Sequence, residues 1–531
     1  MRYADQVAGI PWETIEAVRR RLKEKPALHF IAGEFSPSES GETFPSLDPA
    51  TNEVLGVAAR GGEKEVDKAA RAAHEAFPKW SRTKAKERKR YLLKIAELIE
   101  KHADELAVME CLDAGQVLRI VRAQVARAAE NFAFYAEYAE HAMEDRTFPV
   151  DRDWLYYTVR VPAGPVGIIT PWNAPLMLST WRIAPALAFG NTVVLKPAEW
   201  SPFTATKLAE ILKEADLPPG VFNLVQGFGE EAGAALVAHP LVPLLTLTGE
   251  TETGKIVMRN AADHLKRLSP ELGGKSPALV FADADLERAL DAVVFQIFSF
   301  NGERCTASSR LLVEEKIFED FVGKVAERAR AIRVGHPLDP ETEVGPLIHP
   351  EHLQRVLGYV EAGKREGARL LVGGERAKTS FRGEDLSQGN YLKPTLFVGE
   401  NHMKIAQEEI FGPVLVAIPF RDEEEALKKA NDTKYGLAAY VFTRDLERAH
   451  RLALELEAGM VYLNSHNVRH LPTPFGGVKQ SGDRREGGTY ALDFYTDLKT
   501  IALPLRPPTC PSSGRKGGSP WQGPERSTSR P

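Results

Sequence analysis

The run "NTVVLKPAEWSPFTATKLAEILKEADLPPGVFNLVQG", residues 191–227, decides the fold. It opens on a short β-branched stretch that stops at a proline, continues as a helical segment, and returns to a second short apolar stretch ending in glycine. Strand, helix, strand in that order is the signature of a parallel pair joined by a crossover. The alternation extends to both sides. "GPVGIITPW" precedes it, and "LVPLLTLTGE", the helical "ETGKIVMRNAADHL" and "SPALVFADA" follow. Repeated in this way, the pattern predicts an open parallel sheet wrapped by helices.

From Glu63 to Glu140 the chain is helical in pattern, with apolar residues at three- and four-residue intervals. A second α/β unit is expected from Pro277 to Gln480, through "ALDAVVFQIF", "SSRLLVEE", "KIFEDFVGKVAERARAIRV" and "AGMVYLNS". Two β-rich pieces, "DWLYYTVRVPA" and "YALDFYTDLKTIALPL", have no helix beside them. They are expected to pair with each other or with another subunit. Residues 504–531 are rich in Pro, Gly and Ser, which predicts a flexible tail.

The 531 residues suffice for two or three domains with a large core. With 43% hydrophobic and 27% charged residues the composition is that of a soluble globular protein. A net charge of −5, evenly spread, gives no electrostatic case for nucleic acid or an anionic membrane. Arg119, Arg122 and Arg127 share a helical stretch but do not make a basic patch. No run approaches the roughly 20 apolar residues that span a bilayer. The charged N-terminal stretch lacks the apolar centre of a signal peptide. The 3 cysteines, an odd number without paired spacing, argue against a disulfide framework and for a reducing, cytoplasmic location. No His pair or Cys/His cluster has metal-ligand spacing, so no metal is expected.

Ligands of open α/β sheets bind where strands end and helices begin. "GFGEEAG", with Gly227, Gly229 and Gly233, follows a strand but is one residue too long for the dinucleotide fingerprint, and an ordinary turn explains it as well. "LTLTGETETGK" places Gly249 and Glu250 ahead of a helix whose free N–H groups suit a diphosphate. Lys196 and Glu199 are spaced to hold the hydroxyls of a ribose, although the same spacing makes a solvated charge pair. Glu271 stands before two glycines, where partial burial can raise a carboxyl into the range of a general base, although a simple turn explains the pattern as well. Asn173 stands between two prolines that can aim its amide at a developing oxyanion. Cys305, in "SFNGERCTASSR", is by itself either a buried packing residue or a nucleophile.

The motifs "TPWNAP", "GNTVVLKPAE", "LTGETETG", "ELGGKSP", "NGERC", "EEIFGPV" and "PFGGVKQSG" occur together and in order. In this the chain, from about Leu47 to Leu503, resembles the aldehyde dehydrogenase superfamily. "PWNAPLMLSTWRIAPALA", "NGERCTASSR" and "VRHLPTPFGG" point to its semialdehyde dehydrogenases of aromatic-acid degradation. The resemblance implies an α/β fold of two open-sheet domains, a Rossmann-like cofactor domain and a catalytic domain, with a β oligomerisation arm. Residues 1–144 and 163–272 would form the NAD-binding domain and 273–480 the catalytic domain. The arm would be 145–162 and 487–503, exchanging between the subunits of a homodimer or homotetramer.

It also implies site residues. Cys305 would be the nucleophile, Glu271 the general base, and Asn173 with the Cys305 N–H the oxyanion hole. Lys275 would tune the charge beside the base. Lys196 and Glu199 would hold the adenosine ribose, Glu409 and Phe411 the nicotinamide ribose, and Trp172, Gly229, Gly249 and Leu272 would line the cofactor channel. Glu250 stands where many members carry serine; a carboxylate beside a diphosphate is unfavourable, so Glu250 is left out of the cofactor contacts. A carboxylate at Glu199 favours NAD over NADP, with NADP use possible because Lys196 is close. Arg127 and Arg469, with Phe475, would line the aldehyde tunnel, and guanidinium forks suit an acidic semialdehyde. Structural ion pairing of both arginines is the competing reading, and a broad-range enzyme for neutral aldehydes the competing function.

Overall fold

A computed structural model describes residues 6–7, 9–142, 146–149 and 153–506 of the chain. Parallel strands buried on both faces appear in sequence as unbroken apolar runs, and every residue of Val193–Pro197 is buried. This strand lies inside a seven-stranded sheet. The order is Arg267–Glu271, Leu244–Thr248, Val166–Thr170, Val193–Pro197, Phe222–Leu224, His29–Ile31, Glu34–Ser36. Neighbours are parallel as far as Phe222–Leu224, and the last two strands join antiparallel. Those two are too short to show a period of two in sequence. Their turn is Ala32-Gly33, with φ of 52° and 89°, the left-handed pair that matches strand twist in a two-residue hairpin.

The chain leaves this sheet after Glu271 and enters a second seven-stranded sheet at Pro277. Its order is Arg369–Val372, Thr395–Val398, Val414–Phe420, Arg310–Glu314, Pro277–Val280, Ala438–Phe442, Met460–Leu463. All neighbours are parallel except the first pair. "ALDAVVFQIF" belongs to the helix Leu286–Phe298. Both sheets lie in one compact unit, Met1–Ala142 with Pro162–Thr496. Among the described residues no helix is long and apolar enough to cross a membrane.

The second unit is a three-stranded sheet in which Trp154–Pro162 lies between Thr496–Pro504 and Thr147–Pro149. The two β-rich pieces therefore pair within the chain. The later piece starts later than 487: Ala491–Tyr495 is a helical turn with Leu492, Phe494 and Tyr495 buried. Apolar residues at 491, 492, 494 and 495 have helical spacing, and an extended course begins only at Thr496. Residues 145 and 150–152 of the arm, and 507–531 of the tail, lie outside the described residues.

A tight reversal joins the helix Leu286–Phe298 to the strand Arg310–Glu314. Phe300, Asn301 and Gly302 follow one another at φ 56°, 56° and 74°. For the two side-chain-bearing residues this costs about 1–2 kcal/mol each. Asn301 offsets the strain through its buried amide, which donates to the carbonyls of Gly115 and Pro346 (3.0 Å each) and accepts from Gly345 N (2.7 Å). At Gly302 a Cβ would stand 2.2 Å from the carbonyl carbon of Gly412. Gly302→Ala is expected to cost at least about 2 kcal/mol, because a backbone clash adds to the left-handed strain. The midpoint of thermal unfolding should fall, and an unchanged midpoint would show that the turn yields.

Candidate active site

Parallel strands deliver their following loops to one edge of a sheet, and the first sheet uses this edge throughout. Val166–Thr170 ends at Pro171, Trp172 and Asn173; Val193–Pro197 carries Lys196 and leads to Glu199; Leu244–Thr248 leads to Gly249 and Glu250; Arg267–Glu271 ends on Glu271. Thr248 and Glu271 are register partners, and Gly249 N donates to the Glu271 carbonyl at 3.1 Å. The second sheet presents its strand starts. Cys305 precedes Arg310–Glu314, and Glu409 and Phe411 precede Val414–Phe420.

Two cavities meet at the thiol. One, of about 280 Å³, is lined by Arg127, Asn173, Trp181, Arg182, Glu271, Cys305, Arg469, Phe475 and Glu486 among others. The other, of about 780 Å³, holds Trp172, Lys196, Glu199, Gly229, Gly249, Glu409 and Phe411. Asn173, Thr248, Leu272 and Cys305 line both. Half-buried Cys305 packs on the cluster of Trp181, Leu437 and Phe475. Thr306 is fixed beside it by Tyr440 Oη, which donates to its carbonyl, and by Asn467 Nδ2, which donates to its hydroxyl (2.8 Å each). Asn173 Nδ2 donates to the carbonyl of Glu303 at 2.9 Å, which sets the amide plane and leaves its second hydrogen for the cavity.

Burial pushes the Cys305 thiol up to about 11; the carboxylate of Glu409 adds to this and the guanidinium groups of Arg469 and Arg304 oppose it. Glu271 is raised well above the usual carboxylate range, first by burial and then by Glu486, against Arg182, Arg469 and Arg485. Both its carboxyl oxygens are buried without a protein partner. A Cβ on Gly476 would come within 2.9 Å of Glu271 Oε1, so the glycine leaves this carboxyl its space. The guanidinium of Arg469 packs over both Trp181 and Phe475, 4.4 and 4.0 Å from the ring centroids, in the corner of two nearly perpendicular rings. Its Nη2 is buried without a partner. Arg127 donates to the Arg469 carbonyl at 3.2 Å and pairs with Glu130 at 3.3 Å.

The larger cleft fits a dinucleotide in its residues. Lys196 Nζ meets Glu199 Oε2 at 2.9 Å at one end. At the other, Trp172 stands edge-on to Phe411, with ring centroids 5.3 Å apart. Glu409 Oε1 accepts from Gly274 N at 2.9 Å, and burial pushes that carboxyl up to about 7. Between the ends, Thr248 Oγ1 is buried without a partner and faces both cavities.

One expected residue is elsewhere. Lys275 lines neither of these cavities; its side chain enters a small pocket with Arg310, Asn431 and Tyr435. Burial lowers its ammonium to about 7, with Arg310 acting in the same direction. Only three residues separate it from Glu271, but the chain leaves the first sheet at Glu271 and joins the second at Pro277, so Lys275 packs with the second sheet. Other residues were not marked by sequence. Arg182 pairs with Glu486 at 2.9 Å, both buried, and Glu486 also accepts from Trp181 Nε1 and from the hydroxyls of Thr246 and Ser269. A lone arginine in the apolar helix Pro175–Ala188 was the available signal. Buried Glu303 accepts from Ile348 N and Gln116 Nε2, and His352, Trp200 and Arg355 line the cleft.

Residues 35–501 match the model of the aldehyde dehydrogenase family. The chain is 48% identical over 469 residues to the 5-carboxymethyl-2-hydroxymuconate semialdehyde dehydrogenase of Escherichia coli, covering 88% of this chain and 98% of that protein. A crystal structure of HpcC from Thermus thermophilus matches with a TM-score of 0.96 at 96% identity, over 97% of this chain and 100% of that one. The NAD+ complex of an aldehyde dehydrogenase from Bacillus cereus matches with a TM-score of 0.89 at 41% identity, over 93% and 98%.

A thiol at about 11 is almost wholly protonated at pH 8, so alkylation of Cys305 by iodoacetamide should accelerate continuously from about pH 8 to about pH 10. Arg469→Met removes a cation that favours the thiolate and should slow labelling at pH 8 by about three- to tenfold. Mass spectrometry of the Cys305 peptide reads the rate, and a plateau below about pH 9 would contradict the assignment.

Proposed function

The chain belongs to the aldehyde dehydrogenase family, and from that premise we propose that it oxidises an acidic semialdehyde to the carboxylic acid, with NAD preferred as hydride acceptor and NADP tolerated. The observation that carries the reading is the position of Cys305 and Asn173 at the junction of the two cavities, with Glu271 in one of them.

The Cys305 thiolate attacks the aldehyde carbon, a C–S bond forms, and the carbonyl oxygen takes the negative charge. The Asn173 amide and the Cys305 N–H are the donors for that oxyanion, worth about 3–4 kcal/mol for one donor. When bound, the dinucleotide supplies the hydride acceptor that turns the hemithioacetal into a thioester. Lys196 and Glu199 would hold its adenosine ribose, Glu409 and Phe411 its nicotinamide ribose, and Trp172, Gly229, Gly249 and Leu272 its channel. Glu271 then takes a proton from water, the hydroxide adds to the thioester carbon, and the C–S bond breaks to release acid and thiolate. Burial and the neighbouring Glu486 raise the Glu271 carboxyl above its ordinary range, the direction that strengthens its conjugate base.

Arg469 supports the acidic substrate. A desolvated guanidinium packed over two aromatic rings, with an unpartnered Nη2, has a donor to offer a substrate carboxylate. Arg127 supports it less strongly, being already paired with Glu130. We assign the three-stranded sheet to pairing with further copies in a homodimer or homotetramer; exposed Phe148, Leu498, Leu503 and Leu505 favour this.

Glu271→Gln should retain a single-turnover burst of reduced cofactor and lower the steady state by at least about 100-fold. The acyl group should remain on Cys305 as an added mass, and a normal steady state would remove Glu271 from the base role. Arg469→Met should raise KM at least about tenfold for an acidic semialdehyde and little for a neutral aldehyde of the same length. Equal loss on both substrates would refute the carboxylate site.

A further inference from the structure

The cofactor cleft has two walls. One is the edge of the first sheet, ending at Gly249, Glu250 and the helix Thr251–Ala262; the other is the helix Pro350–Arg365 of the second α/β half, which presents His352 and Arg355. Glu250 holds the position before the first turn of Thr251–Ala262, where a short polar side chain accepts from the free N–H groups. Glu250 makes no such bond. Its Oε1 crosses the cleft and accepts from Arg355 Nη2 at 2.9 Å. The side chains are 50% and 38% exposed, so water and ligand reach the pair.

A diphosphate bound at this helix start would bring its charge against the Glu250 carboxylate and within reach of a guanidinium whose fork suits phosphate oxygens. Resting on the NAD reading above, we propose that Glu250–Arg355 is an exchangeable bar across the cleft. In the free enzyme Arg355 is held by Glu250, the diphosphate of the dinucleotide takes Arg355 from it, and Glu250 recaptures Arg355 as the cofactor leaves. Glu250 thereby weakens cofactor binding and hastens release. An exposed ion pair is weak enough to exchange readily.

The test is a cycle of NADH affinities, by fluorescence titration with stopped-flow release rates, on the full-length protein and its Glu250→Gln, Arg355→Met and doubly substituted forms. Glu250→Gln should tighten NADH about three- to tenfold, chiefly through slower release, and Arg355→Met should weaken it. The gain from Glu250→Gln should be smaller once Arg355 is gone, because no bar remains to be broken. An equal or larger gain in the Arg355→Met background would mean that the pair stays intact under the cofactor, and would overturn the proposal. Unchanged affinity in Glu250→Gln would overturn it too. No NADH binding by any of the four proteins would instead overturn the NAD reading on which it rests.

Discussion

The site depends on one strained turn. Phe300, Asn301 and Gly302 all adopt left-handed backbone, and the turn stays closed because Asn301 satisfies three buried backbone groups at once. Those groups come from the loop after the helix Ala103–Ala114 and from Gly345 and Pro346 of the second half. The turn is thus clamped from two directions. It brings Gly302 against Gly412, so the segment presenting Cys305 and the segment presenting Glu409 and Phe411 share one backbone contact. Cys305 and the Glu409–Phe411 end of the cleft are therefore set by the same piece of strained chain, as is common where backbone strain is stored.

Around that turn, burial in low dielectric sets the charge states. Glu271 and Glu486 lie in one cavity, yet their surroundings divide them. Glu486 is paired with Arg182 and receives further donors, whereas both oxygens of Glu271 have no protein partner. The second is the one raised well above its usual range. Pairing satisfies the oxygens of Glu486, whereas burial without a partner raises the carboxyl of Glu271. Arg469 is the cationic counterpart, desolvated against two rings with a donor to spare.

Much of this was legible in sequence wherever function follows chain order. The strand ends at Asn173, Lys196, Gly249 and Glu271 could be found because buried parallel strands read as short apolar runs and ligands gather at their C-terminal edge. Legibility failed where spacing is not geometry. Lys275 is close to Glu271 in sequence and turns into another pocket. The strands His29–Ile31 and Glu34–Ser36 are too short to carry a pattern, and the helical turn Ala491–Tyr495 hides inside a β-rich stretch.

The sequence alone determined the α/β class, the family and the places of Asn173 and Glu271 near Cys305, because these follow from local periodicity and from motifs a few residues long. Only the tertiary structure decided which charges face one another. Arg182 meets Glu486, and Glu250 meets Arg355 across the cleft, from positions far apart in the chain. Arg469 Nη2 finds no hydrogen-bond partner among the described residues, and its guanidinium packs on the rings of Trp181 and Phe475. Electrostatic interactions depend on distance in space and on burial, and neither is written in the order of the chain.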